Sequence, residues 1–308
     1  MRARYQASRG FSAMEAVVVV LILGMFLLFI MMQLPRRRES ARRLSCQQNL
    51  MNIGAALWLY DQEQSGLPGV PDPQKSGGEA SSPLKELLET LAMPDLTQAF
   101  ESKAKGSPTK GQRIAVVEKF TRGFACPSDT NALAGWFKAP INYRASTGST
   151  PTGTDGGFAR GKTLKLAQIE EADGMAFTAA FSERLVGTNQ PQARLENYAL
   201  VPGTVGPEGC PDSPASAWQG NAGSSWFHAD WVSTLYNHAL TPNARPSCIS
   251  QDGASAFMGA SSGHLGGVNV LLFDGSVKFY ASSVNPTIWK QLATVGSPTS
   301  TPDPTAIP

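Results

Sequence analysis

Residues 10–34 read GFSAMEAVVVVLILGMFLLFIMMQL, and the rest of the chain is read outward from them. A basic leader with Arg2, Arg4 and Arg9 ends in Gly10-Phe11. Glu15 follows, and no formal charge occurs from Ala16 to Leu34. As a helix rising ~1.5 Å per residue, that run covers roughly the ~30 Å hydrocarbon core of a bilayer. A cleaved secretory signal has an apolar region of only ~7–15 residues with a small-residue site behind it. Here Pro35-Arg36-Arg37-Arg38 comes next. The run is therefore expected to remain as a single-pass anchor. Arg43-Leu44-Ser45 before Cys46 excludes a lipoprotein acceptor at that cysteine.

This order of leader, Gly10, Phe11, Glu15 and apolar run resembles the class III signal of type IV pilins and pseudopilins. The resemblance implies a prepilin peptidase that cuts after Gly10 and methylates Phe11. Cleavage would free the amine of Phe11, a cation near neutral pH. Glu15 would then meet the amine of a neighbouring subunit during assembly. The other reading of Glu15 is a carboxylate that only reaches the membrane interface. Charge alone would place the arginine-rich flank, Arg36 to Arg43, in the cytoplasm. The resemblance places it outside, so the expected location is the inner membrane with the C-terminal domain extracytoplasmic.

The chain has 308 residues and a net charge of +2. Charged residues make up 16%, with 30 glycines and 22 prolines, which points to a loop-rich body containing β structure. No basic stripe with interleaved aromatics occurs beyond the juxtamembrane arginines, so no nucleic-acid partner is expected. The four cysteines, Cys46, Cys126, Cys210 and Cys248, form no C-x-x-C pair. In an exported domain they fit two disulfides with three possible connectivities. Cys46–Cys126 with Cys210–Cys248 is the pairing expected, and buried free thiols are the alternative.

Cys46, Leu50, Ile53, Leu57 and Tyr60 recur at helical spacing and form one apolar stripe. The first helix should therefore continue past the anchor, kink near Pro35 and end near Gly66-Leu67-Pro68. Ser82-Pro83 can start a second helix with Leu84, Leu87, Leu88 and Leu91 inward. A strand is expected within Ile114 to Cys126, and another in Phe177 to Phe181 after the turn at Asp173-Gly174. The clearest signal is Val268 to Phe273, then Asp274-Gly275, then Ser276 to Tyr280, a hairpin. Ile288 to Leu292 reads as a terminal helix, and residues 296–308 as a disordered tail. The expected divisions are a leader at 1–10, an N-terminal helix at 11–66 and an extracytoplasmic domain at 67–295. The fold class is α+β: a long transmembrane and amphipathic helix on a loop-rich domain with an antiparallel sheet, as in pilins.

Further along, the chain is similar to the large bacterial group of pilin-like proteins with a C-terminal H-x9-DG motif, a domain of unknown function. His264 and Asp274-Gly275 have that spacing. Other blocks follow in order. They are Arg42-Arg43 with Cys46 and Asn49-Leu50, Cys126-Pro127-Ser128-Asp129, Asn142-Tyr143, Asp173-Gly174 with Glu183, Asn237-His238, Pro242-Asn243 and Cys248. The chain departs from the pattern at Leu265, where proline is frequent, and at Ala176-Phe177.

His264 with Asp274 could bind a partner chain or a cation. The competing reading gives Asp274 a turn role and has His264 order the glycine-rich loop. Glu183-Arg184 reads as a local ion pair. His228, Asp230 and His238 are a weak metal set with no third ligand indicated, so no metal or cofactor is expected. No G-x-S-x-G, H-E-x-x-H, P-loop or G-x-G-x-x-G occurs. The expected function is a membrane-anchored pilin-like or pseudopilin-like structural protein, not an enzyme. It would assemble with pilin-like subunits or secretion machinery. The alternative is a tethered enzyme or carbohydrate-binding module with Trp218, Trp226 and Trp231 as a sugar platform.

Overall fold

The computed structural model describes residues 13–72, 80–91, 121–206 and 208–296, without the side chains of residues 30 and 32–36. Gly10, Phe11, most of the expected strand from Ile114 and the tail lie outside the described residues. The chain falls into two compact units, Met1–Arg42 and Arg43–Pro308.

Helix α1 runs from Ala13 to Gln64. It passes Pro35 without interruption and stops where Ser65 takes a φ of 55°. In the first unit its side chains are exposed, from Met14 at 80% to Met31 at 61%. In the second unit the stripe Cys46, Leu50, Ile53 and Leu57 is buried, with Tyr60 partly so. The helical spacing placed those residues on one face, and that face is the docking surface for the body.

Among the described residues no helix is long and apolar enough to cross a membrane. This corrects the expected transmembrane segment and the inner-membrane location drawn from it.

Among the described residues nine strands form two sheets. The first comprises β1 (Tyr143–Ser146), β2 (Ala179–Glu183), β5 (Leu235–Tyr236), β8 (Gly267–Leu272) and β9 (Val277–Ala281), in the order β5-β1-β2-β8-β9. The second comprises β3 (Tyr198–Val201), β4 (Trp218–Gln219), β6 (Cys248–Ser250) and β7 (Ala256–Phe257), in the order β4-β3-β6-β7. Both sheets are mixed, because β1–β5 and β3–β6 are parallel. The single antiparallel sheet of the sequence reading is corrected accordingly. Parallel partners lie far apart in sequence and have no hairpin turn to announce them.

The predicted hairpin is present as β8 and β9, paired from Gly267↔Ala281 to Leu271↔Val277. Gly275 at its tip has a φ of 86°, a left-handed conformation that glycine adopts without a Cβ clash. The second strand begins slightly later than Phe177, because Gly174 leads into a 3-10 turn over Met175–Phe177. At the described end of the stretch expected as a strand, Arg122–Phe124 is a 3-10 turn. Two short helices precede β1, α2 (Pro83–Glu86) and α3 (Thr130–Leu133), and α4 (Leu166–Ala172) lies between β1 and β2. The expected terminal helix is present as α5, Pro286–Gln291.

Strand β8 is buried along its whole length and divides the core. Val268, Val270 and Leu272 face one cluster with Tyr236, Tyr280 and Trp289. Leu271 and Phe273 belong to the other, which includes the α1 stripe. This is the two-residue alternation of a strand with both faces covered. Gly54 brings α1 close to it, since a Cβ there would stand 2.9 Å from the Leu271 side chain. Asn269 therefore sits, fully buried, between sheet and helix.

Candidate functional site: a buried cysteine, histidine and glutamate centre

A buried asparagine in a central strand needs partners, because an unpaired polar group in the core costs about 1–3 kcal/mol. Asn269 has them on both sides. Gln47 of α1 donates from Nε2 to its side-chain oxygen at 3.1 Å. Its own main-chain N–H and side-chain amide each donate to Glu183 at 2.9 Å. Glu183 ends β2, opposite Tyr143 of β1. Burial and the Glu183 charge push the Tyr143 phenol up from its ordinary value. Asn49 of α1 donates to the Tyr143 hydroxyl at 3.1 Å.

His264 completes the centre, with Nε2 3.2 Å from the Glu183 carboxylate and 3.6 Å from Sγ of Cys126. Cys126 is disulfide-bonded to Cys46 of α1, with Cα atoms 5.3 Å apart. Cys46, Cys126, Glu183 and His264 are all buried, and one ligand-type atom from each lies within 4.8 Å of the others. With the sulfurs joined, the four side chains act as a cross-link and a hydrogen-bonded imidazole–carboxylate pair between helix, sheet and loop.

The flanking blocks hold this centre in place. Asn142 accepts from the main-chain N–H of Cys126 at 2.8 Å and donates to Asp129 at 2.6 Å. Asp129 also caps α3 by accepting from Asn131, and accepts from Val186 at 2.8 Å. Burial pushes its carboxyl up from the ordinary value, against the pull of those hydrogen bonds. Asn243 accepts from the N–H of Ser262, whose hydroxyl in turn accepts from the N–H of His264 at 2.9 Å. The blocks at 46, 126–129, 142–143, 183, 243 and 264 thus meet around one buried point.

The structure also separates residues that the sequence reading paired. Asp274 accepts from Ser276 through both its N–H, at 2.9 Å, and its hydroxyl, at 2.7 Å. It therefore supplies turn chemistry with Gly275, while His264 turns to Glu183. The expected Glu183-Arg184 pair is likewise corrected. Arg184 donates to the carbonyls of Gly259 at 2.6 Å and Asn197 at 3.4 Å. Adjacent residues in extended chain point to opposite faces, so these two cannot share a partner readily.

His228, Asp230 and His238 do not gather. His238 is stacked on Trp289 at 3.8 Å, bonded to the Tyr236 hydroxyl at 2.9 Å and to the Trp289 carbonyl at 2.7 Å. Burial lowers its pKa to about 3. Trp218, Trp226 and Trp231 are buried in the core, so they present no platform to a sugar. Sequence reasoning missed Asn269, and it missed Glu183 as the partner of His264. The available signal was a polar residue at each place in an otherwise apolar strand.

The second disulfide is also as expected, Cys210–Cys248, with Cα atoms 5.7 Å apart. Glu15 lies in the first turn of α1.

Fold and centre together define a disulfide-bonded α+β domain built around a sealed polar core. The model of the DUF1559 family, proteins of unknown function also designated SBP_bac_10, matches residues 35–287, and the chain belongs to that family. No curated protein and no solved structure matches it significantly.

Proposed function

We propose that the chain is a structural subunit of the pilin or pseudopilin kind, not an enzyme, and that the first half of α1 is its assembly element. The observation that supports this is the exposure of consecutive apolar residues. Val17 to Leu23 are each between 44% and 67% exposed, so apolar side chains point outward all round the helix. A helix that is apolar all round is stable only when covered. Its cover, in this reading, is the same helix of neighbouring copies. In this reading Glu15, in the first turn of α1, pairs with the Phe11 amine of a neighbour once a prepilin peptidase has cut after Gly10. The partners are that peptidase and further pilin-like subunits or secretion machinery.

The test is the N-terminal residue of the mature protein, read by mass spectrometry. Free or methylated Phe11 is expected, and Gly10→Arg should abolish the cut. An intact Met1 terminus in the wild-type protein would overturn the reading. Cysteine placed at Val20 should cross-link copies of the processed protein, and cross-linking should fall sharply with Glu15→Ala.

A further inference from the structure

The Cys46–Cys126 disulfide stands beside two other side chains with metal-ligating atoms, and the four converge. We propose that reduction of this disulfide by a dithiol creates a buried site for a thiophilic divalent cation, zinc above all, with two thiolates, one imidazole and one carboxylate as ligands. The inference is independent of the assembly reading.

The distances fit a tetrahedron. Zinc bonds of ~2.3 Å to sulfur and ~2.0–2.2 Å to nitrogen and oxygen require about 3.5 Å between S and N, and about 3.4 Å between N and O. Cys126 Sγ and His264 Nε2 are 3.6 Å apart, and His264 Nε2 and Glu183 Oε1 are 3.2 Å apart. Two edges of the tetrahedron are therefore already set. The remaining pairs lie within 4.8 Å of one another, and the sulfurs must part from a covalent bond to about 3.8 Å.

Charge and support fit as well. The disulfide form with neutral imidazole carries one negative charge, on Glu183. Two thiolates, one carboxylate and one divalent cation also sum to one negative charge. The exchange therefore adds no net charge to the buried centre, where an extra unpaired ion would be costly. Glu183 is aimed by two hydrogen bonds from Asn269, the kind of outer support that orients metal ligands. Access is short, because His264 is followed by Leu265, which is 94% exposed. Among the described residues, Cys210 and Cys248 belong to no such cluster.

The step balances. Two electrons from the dithiol break the S–S bond, and the dithiol closes to a cyclic disulfide. Its two protons pass to Cys46 and Cys126, and the incoming cation displaces them as the thiolates bind.

The experiment uses the full chain, reduced with dithiol, desalted without oxygen and titrated with cobalt(II). A thiolate-to-cobalt charge-transfer band saturating at one equivalent is expected, and zinc should bleach it. The oxidised chain should show none. Cys210→Ser with Cys248→Ser should keep the band, Cys46→Ser with Cys126→Ser should lose it, and His264→Ala should weaken cobalt binding tenfold or more. Near-UV circular dichroism follows the fold throughout. A reduced chain that stays folded and shows no band overturns the proposal. So does a reduced chain that unfolds and is not refolded by cobalt or zinc, a band in the oxidised chain, or unchanged affinity in His264→Ala.

Discussion

The two disulfides of this chain do different things. Cys46–Cys126 ties α1 to the loop before α3 and sits against the buried His264–Glu183 hydrogen bond. Cys210–Cys248 ties an irregular stretch to β6, and Cys210 is only partly buried. The first closes a sequence separation of 80 residues, the second one of 38. In the chain-entropy account, loop length sets most of a disulfide's worth, and that predicts nearly equal contributions. What separates the two is their surroundings. One borders the buried His264–Glu183 pair at the edge of the main apolar core, and the other is packed among apolar neighbours of the second sheet.

The comparison can be broken by removal. Replacing both Cys46 and Cys126 by serine should cost about 4.5 kcal/mol by loop closure alone. A larger loss in urea unfolding would measure the coupling to His264 and Glu183. Glu183→Ala comes next, at roughly 3–5 kcal/mol, because it strands the Asn269 donors and the imidazole in the core. Cys210→Ser with Cys248→Ser should cost about 3.9 kcal/mol and leave the Glu183→Ala effect unchanged in the double variant. If the losses at Glu183 and at Cys210–Cys248 fail to add, the two regions are not independent.

The other buried histidine sharpens the contrast through pH. His238 has a pKa of about 3 in the folded chain against 6.5 in the unfolded chain. The unfolded state therefore binds the extra proton between those values. The resulting stability is complete above pH ~6.5 and is lost as pH falls toward 3. Between pH 7 and pH 4.5 this group should cost roughly 2–3 kcal/mol. The check is urea unfolding at both values, with His238→Gln expected to remove that share of the pH dependence. The smallest effect should be at the hairpin tip. Asp274→Ala gives up two exposed turn hydrogen bonds, about 1 kcal/mol. Its effect should add to that of His264→Ala, because Asp274 is bonded to Ser276 and His264 to Glu183.

Much of the body was legible from local patterns. The α1 stripe, the Asp-Gly hairpin and the terminal helix all lie where their spacings put them, because each depends on residues close in sequence. Both disulfide pairings were anticipated as well. The centre itself was only half legible. The blocks at Cys46, Cys126, Glu183 and His264 were visible one by one, but their order along the chain does not say which touch. Of the two readings of the H-x9-DG motif, the turn role of Asp274 is the one the structure has, while the local pairing of Glu183 with Arg184 is not formed. In the folded chain, strand alternation turns Arg184 away and the turn at Asp274-Gly275 occupies its own carboxylate.

The amino-acid sequence alone determined the helical stripe, the hairpin and the stock of buried polar residues, since periodicity and turn chemistry act over a few residues. Tertiary structure alone decided that both sheets are mixed, that the three clustered tryptophans are core, and that His264 meets Glu183 and Cys126. Those contacts join segments separated by 81 and 138 residues. Such pairings are chosen by the packing of α1 on β8 and by the need to satisfy Asn269 and Glu183 once they are buried, and no local pattern encodes that choice.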